Sequence, residues 1–315
     1  MALSTPARSA EIGAEAVRRQ LTGRRADVSG NVFRVALLSG LGFSLVVLGV
    51  LLSDVVTGAS DVLAGRLPGF LTGTLRSLPD EAGISQGLRG TFWIGVFVVL
   101  LAFPLGVAAA IYLEEYAPPS RLTRVVDVNI RNLAGVPSIV YGILGFAIFV
   151  KSLGGFTGGR TVIAAGVTLA VLVLPIVIIT SAEAIRAVPT EIREAAFGVG
   201  ATSWEVTRDH VLPYAAPGIL TGTVLSLARA LGEAAPLILV GAVQNRLGSD
   251  PGILDIGSLQ ERFTAMPMVI TAWSGMPDAG FRANTAAAIV VLLALVLAAN
   301  ATAILLRNRY EQKRG

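Results

Sequence analysis

Cysteine is absent from this 315-residue chain, and histidine occurs once, at His210. Without them there is no disulfide framework, no thiolate zinc site, no iron–sulfur cluster and no multi-histidine metal centre. Lysine occurs only at Lys151 and Lys313, and neither stands in a G-x-x-x-x-G-K-[ST] loop, so this chain carries no Walker-type ATPase. Charge is scarce too. Asp, Glu, Lys and Arg make up 15% of residues, against about 25% in a soluble domain. Hydrophobic residues make up 53%, and the mean hydropathy is +0.70. A chain this dry reads as an all-α integral membrane protein. Membrane topology accounts for the net charge of +4, so no nucleic-acid partner is implied.

A spanning helix needs about 20 apolar residues. Six stretches qualify, at about 35–53, 90–113, 132–150, 161–182, 215–240 and 283–306. An even number of spans puts both ends on one side. Sixteen Lys and Arg fall in the segments on the side of the termini and eight on the other. The positive-inside rule therefore predicts both termini in the cytoplasm. Residues 1–34 read as a cytoplasmic arm rather than a secretory signal, 35–310 as one transmembrane domain and 311–315 as a cytoplasmic tail. Pro104, Pro137, Pro175 and Pro236 fall in or near the spans, as kinks or broken helices. Gly218 and Gly222 have the spacing that lets helices approach closely.

The loop at 183–213 carries an unusual pattern. Ile192, Ala195, Ala196 and Val199 recur at helical spacing, with Glu191, Arg193 and Glu194 around them. This predicts an amphipathic helix. Thr190 stands at its cap, with Arg193 where a capping box would want Glu. Gly198 and Gly200 end it, and a second short helix from Trp204 to Val211 is expected to stop at Pro213.

A second feature lies within the fifth span. Arg229 and Glu233 are four apart, on one helical face. A charge at the centre of a spanning helix costs about 2.5–3.5 kcal/mol on insertion scales, so both must face protein or a polar cavity. They read either as an ion pair that fixes packing or as a station on a translocation path for an anion. Arginine's planar fork suits phosphate-like oxyanions. Glu233 would then hold Arg229, and Gly232 leaves the backbone open beside them. Glu183 and Arg186 read as an interfacial ion pair or a polar inner mouth. Ser138 and Tyr141 offer hydroxyls to a path or to the core. Met266, Met268 and Met276 with Trp273 read as an outer re-entrant or lid segment, a candidate contact for a binding protein.

The loop can be compared in detail. Glu194-Ala195-Ala196, three residues, Gly200, nine residues, His210, one residue and Leu212-Pro213 resemble the EAA loop of ABC importer permeases, E-A-A-x3-G-x9-I-x-L-P. His210 replaces the Ile, with Val211 beside it to supply an apolar contact. Arg229-Ala-Leu-Gly-Glu233, Gly135-Val-Pro-Ser-Ile-Val-Tyr-Gly142 and Phe263-Thr-Ala-Met-Pro267 are similar to segments of the phosphate importer permeases of the PstA and PstC type. The run from Leu305 to Tyr310 favours PstA.

The resemblance implies the type I importer permease fold in a prokaryotic inner membrane. It implies a transport subunit with no catalysis and no cofactor of its own, ATP and Mg residing on the partner ATPase. Its partners would be a homologous PstC-like permease, PstB-like ATPase subunits docked on 183–213, a PstS-like phosphate-binding protein and membrane lipid. The substrate would be phosphate. Sulfate, molybdate or phosphonate is the alternative within the family, and an ion-coupled secondary transporter is the alternative outside it.

Overall fold

The computed structural model describes residues 28–243, 252 and 254–312. Most of the predicted arm, residues 244–251 and 253 of the loop before Gly257, and Lys313 with the last two residues lie outside this range. The chain divides into two compact units, 1–54 and 55–315. In the first, the described residues are helical and expose apolar side chains such as Phe43 and Leu45. They belong to α1 (Val28–Thr72), which contains Pro68 and loses helical geometry at Arg66 (φ −144°, ψ 25°). Proline cannot donate the helical hydrogen bond, and its ring displaces the carbonyl four residues earlier.

The second unit is a helical body built around α5 (Val162–Arg186), the most buried of its long helices. Packed against it are α2 (Ser85–Ile111), α3 (Arg121–Ala134), α4 (Ser138–Gly145) and α7 (Leu212–Gly232). Glycine permits the close crossings. A Cβ on Gly106 of α2 would lie 2.6 Å from Val177 Cγ1, and one on Gly218 of α7 would lie 2.8 Å from Ala184 Cβ. One turn along from Gly218, Gly222 faces Thr180 of α5. The pair picked out by its spacing thus forms the seam between α7 and α5.

Further elements are α6 (Thr190–Gly198), α8 (Ala235–Val240), α9 (Met266–Ser274) and α10 (Gly280–Gln312), beside short helical turns at Gly154–Thr157, Ser203–Glu205 and Gly257–Gln260. Among the described residues, five helices are long and apolar enough to cross a membrane, or six if one bent pair counts as a span. The expected all-α membrane architecture is present.

Two expected spans are not single helices. The stretch 132–150 begins in the last turn of α3, breaks at Gly135–Pro137 and continues as α4 and a π-helical turn, Phe146–Ser152. The two arms are bent by 100°. Pro137 explains the break: its ring would strike the carbonyl of Leu133 in a continuous helix. The stretch 215–240 stops at Gly232, Glu233 is extended (φ −80°, ψ 120°), and α8 restarts at Ala235. Here Pro236 would clash with the Gly232 carbonyl. Periodicity and hydropathy show neither break, because both count composition and not backbone donors.

Candidate functional site

The loop between α5 and α7 is anchored from an unexpected direction. After α2 the chain makes a π-helical turn, Tyr112–Tyr116, which carries Glu114 and Glu115. Arg186 Nε donates to Glu114 Oε2 at 3.2 Å, and its Nη2 also bonds Glu114. The expected Glu183–Arg186 pair does not form; Glu183 is exposed. A partner on a neighbouring helix lets the guanidinium offer two donors to one carboxylate, a geometry stronger than a single contact.

Arg193 of α6 is held more firmly. Its Nη2 donates to Glu115 Oε1 at 2.8 Å and to Ile185 O at 2.9 Å, and its Nη1 donates to Val188 O at 2.6 Å. Both side chains of the ion pair are largely buried, 21% and 10% exposed. One cation thus closes the end of α5 onto the start of α6. The adjacent Glu114 and Glu115 stand out in the sequence, but nothing in it ties them to arginines more than 70 residues away.

Helix α6 differs from expectation in its faces. Ile192 and Ala196 pack inward on the cluster around Ile185, Val206 and Val211. Ala195 and Glu194 are exposed, and Val199 lies beyond the helix, 86% exposed. Thr190 makes no cap bond, because Pro189 occupies the cap position. The capping box is complete at Thr202 and Glu205 instead, and T-x-x-E is its sequence signature. Gly200 has φ +89°, a conformation that L side chains rarely adopt, with open space around it. Phe197, Val199 and Trp204 project from this region, at least half exposed.

The helix that begins at Ser203 does not stop at Pro213. It passes through a π-helical turn, Val206–Val211, into α7, a continuous helix of 30 residues. A π turn shifts the bonding from i+4 to i+5 and absorbs an extra residue. It relieves the bond that Pro213 cannot make. Val211 is fully buried while His210 is exposed, and Leu212 and Pro213 are half-buried. The apolar contact that the loop pattern places at position 210 is supplied by Val211.

At the far end of α7 stand Arg229 and Glu233. Arg229 Nε lies 3.5 Å from Glu233 Oε1, and the side chains are 53% and 21% exposed. The pair sits at a helix break, not in mid-helix. The last carbonyls of α7 lack helical partners there, and their partial negative charge favours a cation. Gly232 is exposed, with no atom within 4 Å of where its Cβ would be. Among the described residues, the half-exposed guanidinium has one carboxylate contact, a long one, a geometry that suits an anion.

The other singled-out residues serve the scaffold. The Tyr141 hydroxyl donates to Leu133 O at 2.9 Å, across the bend between α3 and α4. Met266, Met268 and Trp273 are buried, and Trp273 packs between Phe70 (6.2 Å) and Phe281 (5.7 Å). They form core, not an exposed lid. Near them Arg66, which no motif suggested, donates to the carbonyls of Pro79 (2.7 Å), Asp80 (2.7 Å) and Ala82 (3.0 Å) and to Asn284.

The model for the binding-protein-dependent transport system inner membrane component matches residues 102–313. The chain belongs to that family. This permease component is 33% identical over 244 residues to "Phosphate transport system permease protein PstA 1" of Mycobacterium tuberculosis H37Rv, with 76% of this chain and 75% of the relative covered. It is 31% identical to "Probable ABC transporter permease protein YqgI" of Bacillus subtilis, covering 72% and 79%. It is 30% identical to "Phosphate transport system permease protein PstC" of Mesorhizobium japonicum, covering 73% and 77%.

Among solved structures, a bacterial transporter importing the acidic polysaccharide alginate superposes with TM-score 0.60 at 16% identity, covering 88% of this chain and 98% of the other. The methionine transporter MetNI, in an inward-facing form, gives TM-score 0.53 at 21% identity, covering 72% and 94%. These matches show the type I importer fold. The permease is the multi-pass inner-membrane component of a binding-protein-dependent transport system. Its family role is transport. The secondary-transporter alternative is thereby overturned.

Proposed function

We propose that this permease is the PstA-type half of an importer for inorganic phosphate, with Arg229 as an anion station on the path. The observation that carries the reading is the half-exposed Arg229 at the α7 break, with Glu233 3.5 Å away. The curated relatives named for phosphate transport, at 30–33% identity, support the substrate. Glu233 then orients Arg229 and competes with the anion, so that binding stays weak enough for release. Gly232 leaves the approach clear.

Coupling runs through the other end of α7. The exposed Glu194, Ala195, Phe197 and Trp204 would meet a PstB-like ATPase, while Ala196, Leu212 and Pro213 join the loop to the body. Gly200 supplies the turn between them. Closure of the ATPase dimer pushes α6, and the Arg193–Glu115 clamp passes the push to α2 and α5. A PstC-like permease forms the other half, and a PstS-like protein delivers phosphate from outside. Both termini then lie in the cytoplasm, with residues 1–34 as an arm, 35–310 as the transport domain and 311–315 as a tail. A ligand that binds two states equally shifts neither, so direction comes from ATP and the binding protein.

The test is ATP-dependent uptake of labelled phosphate by vesicles holding the assembled complex, with wild type and Arg229→Gln compared. Losing a charged hydrogen bond to the anion costs about 1.5–3 kcal/mol, so uptake should fall at least about tenfold while the complex still assembles. Undiminished uptake in the variant would leave Arg229 a packing residue.

A further inference from the structure

Helix α3 has the features of a helix lying on a membrane surface, and its geometry accounts for them. It has 14 residues, about 21 Å at 1.5 Å per residue, which is too short to cross a hydrocarbon core of about 30 Å. It is bent by 100° from the segment Ser138–Ser152. If that segment runs along the bilayer normal, α3 lies nearly in the membrane plane. Among the described residues, no side chain of α3 is fully buried. One edge does rest on the body: Thr123, Asp127, Ile130 and Ala134 are half-buried, and α3 packs on α5.

The rest of the helix is sorted by polarity. Leu122, Val125, Val126 and Leu133 form a mostly apolar stripe at helical spacing, 73%, 56%, 38% and 47% exposed, interrupted by Asn129, whose amide donates back to Val125 O at 2.7 Å. Along its flank run Arg121, Arg124 and Arg131, all exposed. Arg131 is paired with Asp127 at 3.1 Å. Among the described residues, Arg121 and Arg124 have no carboxylate within ion-pair distance. They border a cavity of about 460 Å³ with Ser120, and Arg186 lines it too. An apolar stripe flanked by arginines is how an interfacial helix meets anionic lipid.

We infer that α3 is a membrane-surface helix that seats an anionic phospholipid, the acyl chains along Leu122 and Val125 and the headgroup phosphate between Arg121 and Arg124. Charge complementarity commits the site to lipid: its lining holds Arg121, Arg124 and Arg186 against the carboxylates of Glu114 and Asp127, and those two are already paired with Arg186 and Arg131, which leaves Arg121 and Arg124 for an anionic headgroup. The site adjoins the Glu114–Arg186 contact, so a bound lipid would brace the clamp beneath the coupling loop. The inference rests on the membrane reading alone and is independent of the phosphate assignment.

The absence of cysteine makes a direct test practical. Single cysteines at Leu122, Val125 and Glu191 are labelled with a fluorophore, and the assembled complex is placed in nanodiscs of phosphatidylglycerol and phosphatidylcholine. Brominated acyl chains should quench the labels at 122 and 125 and spare the one at 191. Lipid co-purifying with the complex should be enriched in phosphatidylglycerol. Arg121→Gln with Arg124→Gln should cut that enrichment by about fivefold per arginine removed, and the Lys substitutions should retain it. Three results would overturn the inference. One is no quenching at 122 and 125. Another is shielding of these labels by the ATPase, which would make α3 a protein contact. The third is displacement of phosphatidylglycerol by millimolar inorganic phosphate, which would make the cavity a free-anion site.

Discussion

In the proposed mechanism, force and charge reach the path through single side chains. Arg193 and Glu115 are the clearest case, because removing one partner strands the other in a mostly buried place. Breaking a buried pair this way costs about 3–5 kcal/mol, and exposure of 10–21% here puts the effect toward the lower figure. Glu115→Ala should therefore uncouple the complex: ATP hydrolysis persists while phosphate uptake drops. Measuring the ratio of the two in one preparation checks this, and a constant ratio would contradict it.

Gly200 makes a second prediction of the same scale. Its φ of +89° costs a non-glycine residue about 1–3 kcal/mol, while the space around it is open. Gly200→Ala should weaken ATPase association by roughly tenfold or less without unfolding the body. A pull-down titration would show it. The glycine of the loop pattern was legible in sequence, and its backbone reason was not, since spacing carries no dihedral angle. The carboxylates that hold Arg186 and Arg193 were illegible for a related reason: they lie more than 70 residues away in the chain, and only the fold brings them together.

Elements show where reading by hydropathy succeeds and where it stops. The runs at 90–113, 161–182 and 283–306 fall within α2, α5 and α10 and their extensions, because a long apolar segment in a membrane has little alternative to a helix. The runs at 132–150 and 215–240 hid two breaks. Each proline identified in the sequence marked the place, but proline alone does not distinguish a break from tolerance. Pro104 and Pro175 stay inside α2 and α5.

Partners make the difference at the two breaks. Gly142 of α4 lies against Pro236 of α8, where a Cβ would come 2.7 Å from Pro236 Cα. The two broken segments pack on each other. Gly142→Val should force them apart at a cost of about 1–3 kcal/mol and lower the melting temperature of the purified complex. Gly49→Ala, where nothing lies within 4 Å, should leave it unchanged.

For the whole molecule, composition already pointed to a membrane protein and excluded thiolate and multi-histidine metal centres, and the loop pattern pointed to the transport family. Family membership and the type I fold followed from the match over residues 102–313 and from the structural likenesses. Substrate identity belongs to a different level. As the proposed anion station, Arg229 would accept any oxyanion of similar size, since a guanidinium fork recognises paired oxygens and not the central atom. Discrimination must come from the whole path and from the binding protein that feeds it. The account thus predicts an importer selective at the level of the complex, with this chain supplying one half of the channel and one coupling loop.

The most direct measurement is ATP-driven uptake by the reconstituted complex of labelled phosphate, sulfate, molybdate or phosphonate in turn, each in the presence of excess unlabelled phosphate or one of the other oxyanions. The account predicts ATP-dependent phosphate accumulation that only unlabelled phosphate competes away. Accumulation of one of the other oxyanions, with phosphate left outside by a fully assembled complex, would contradict it.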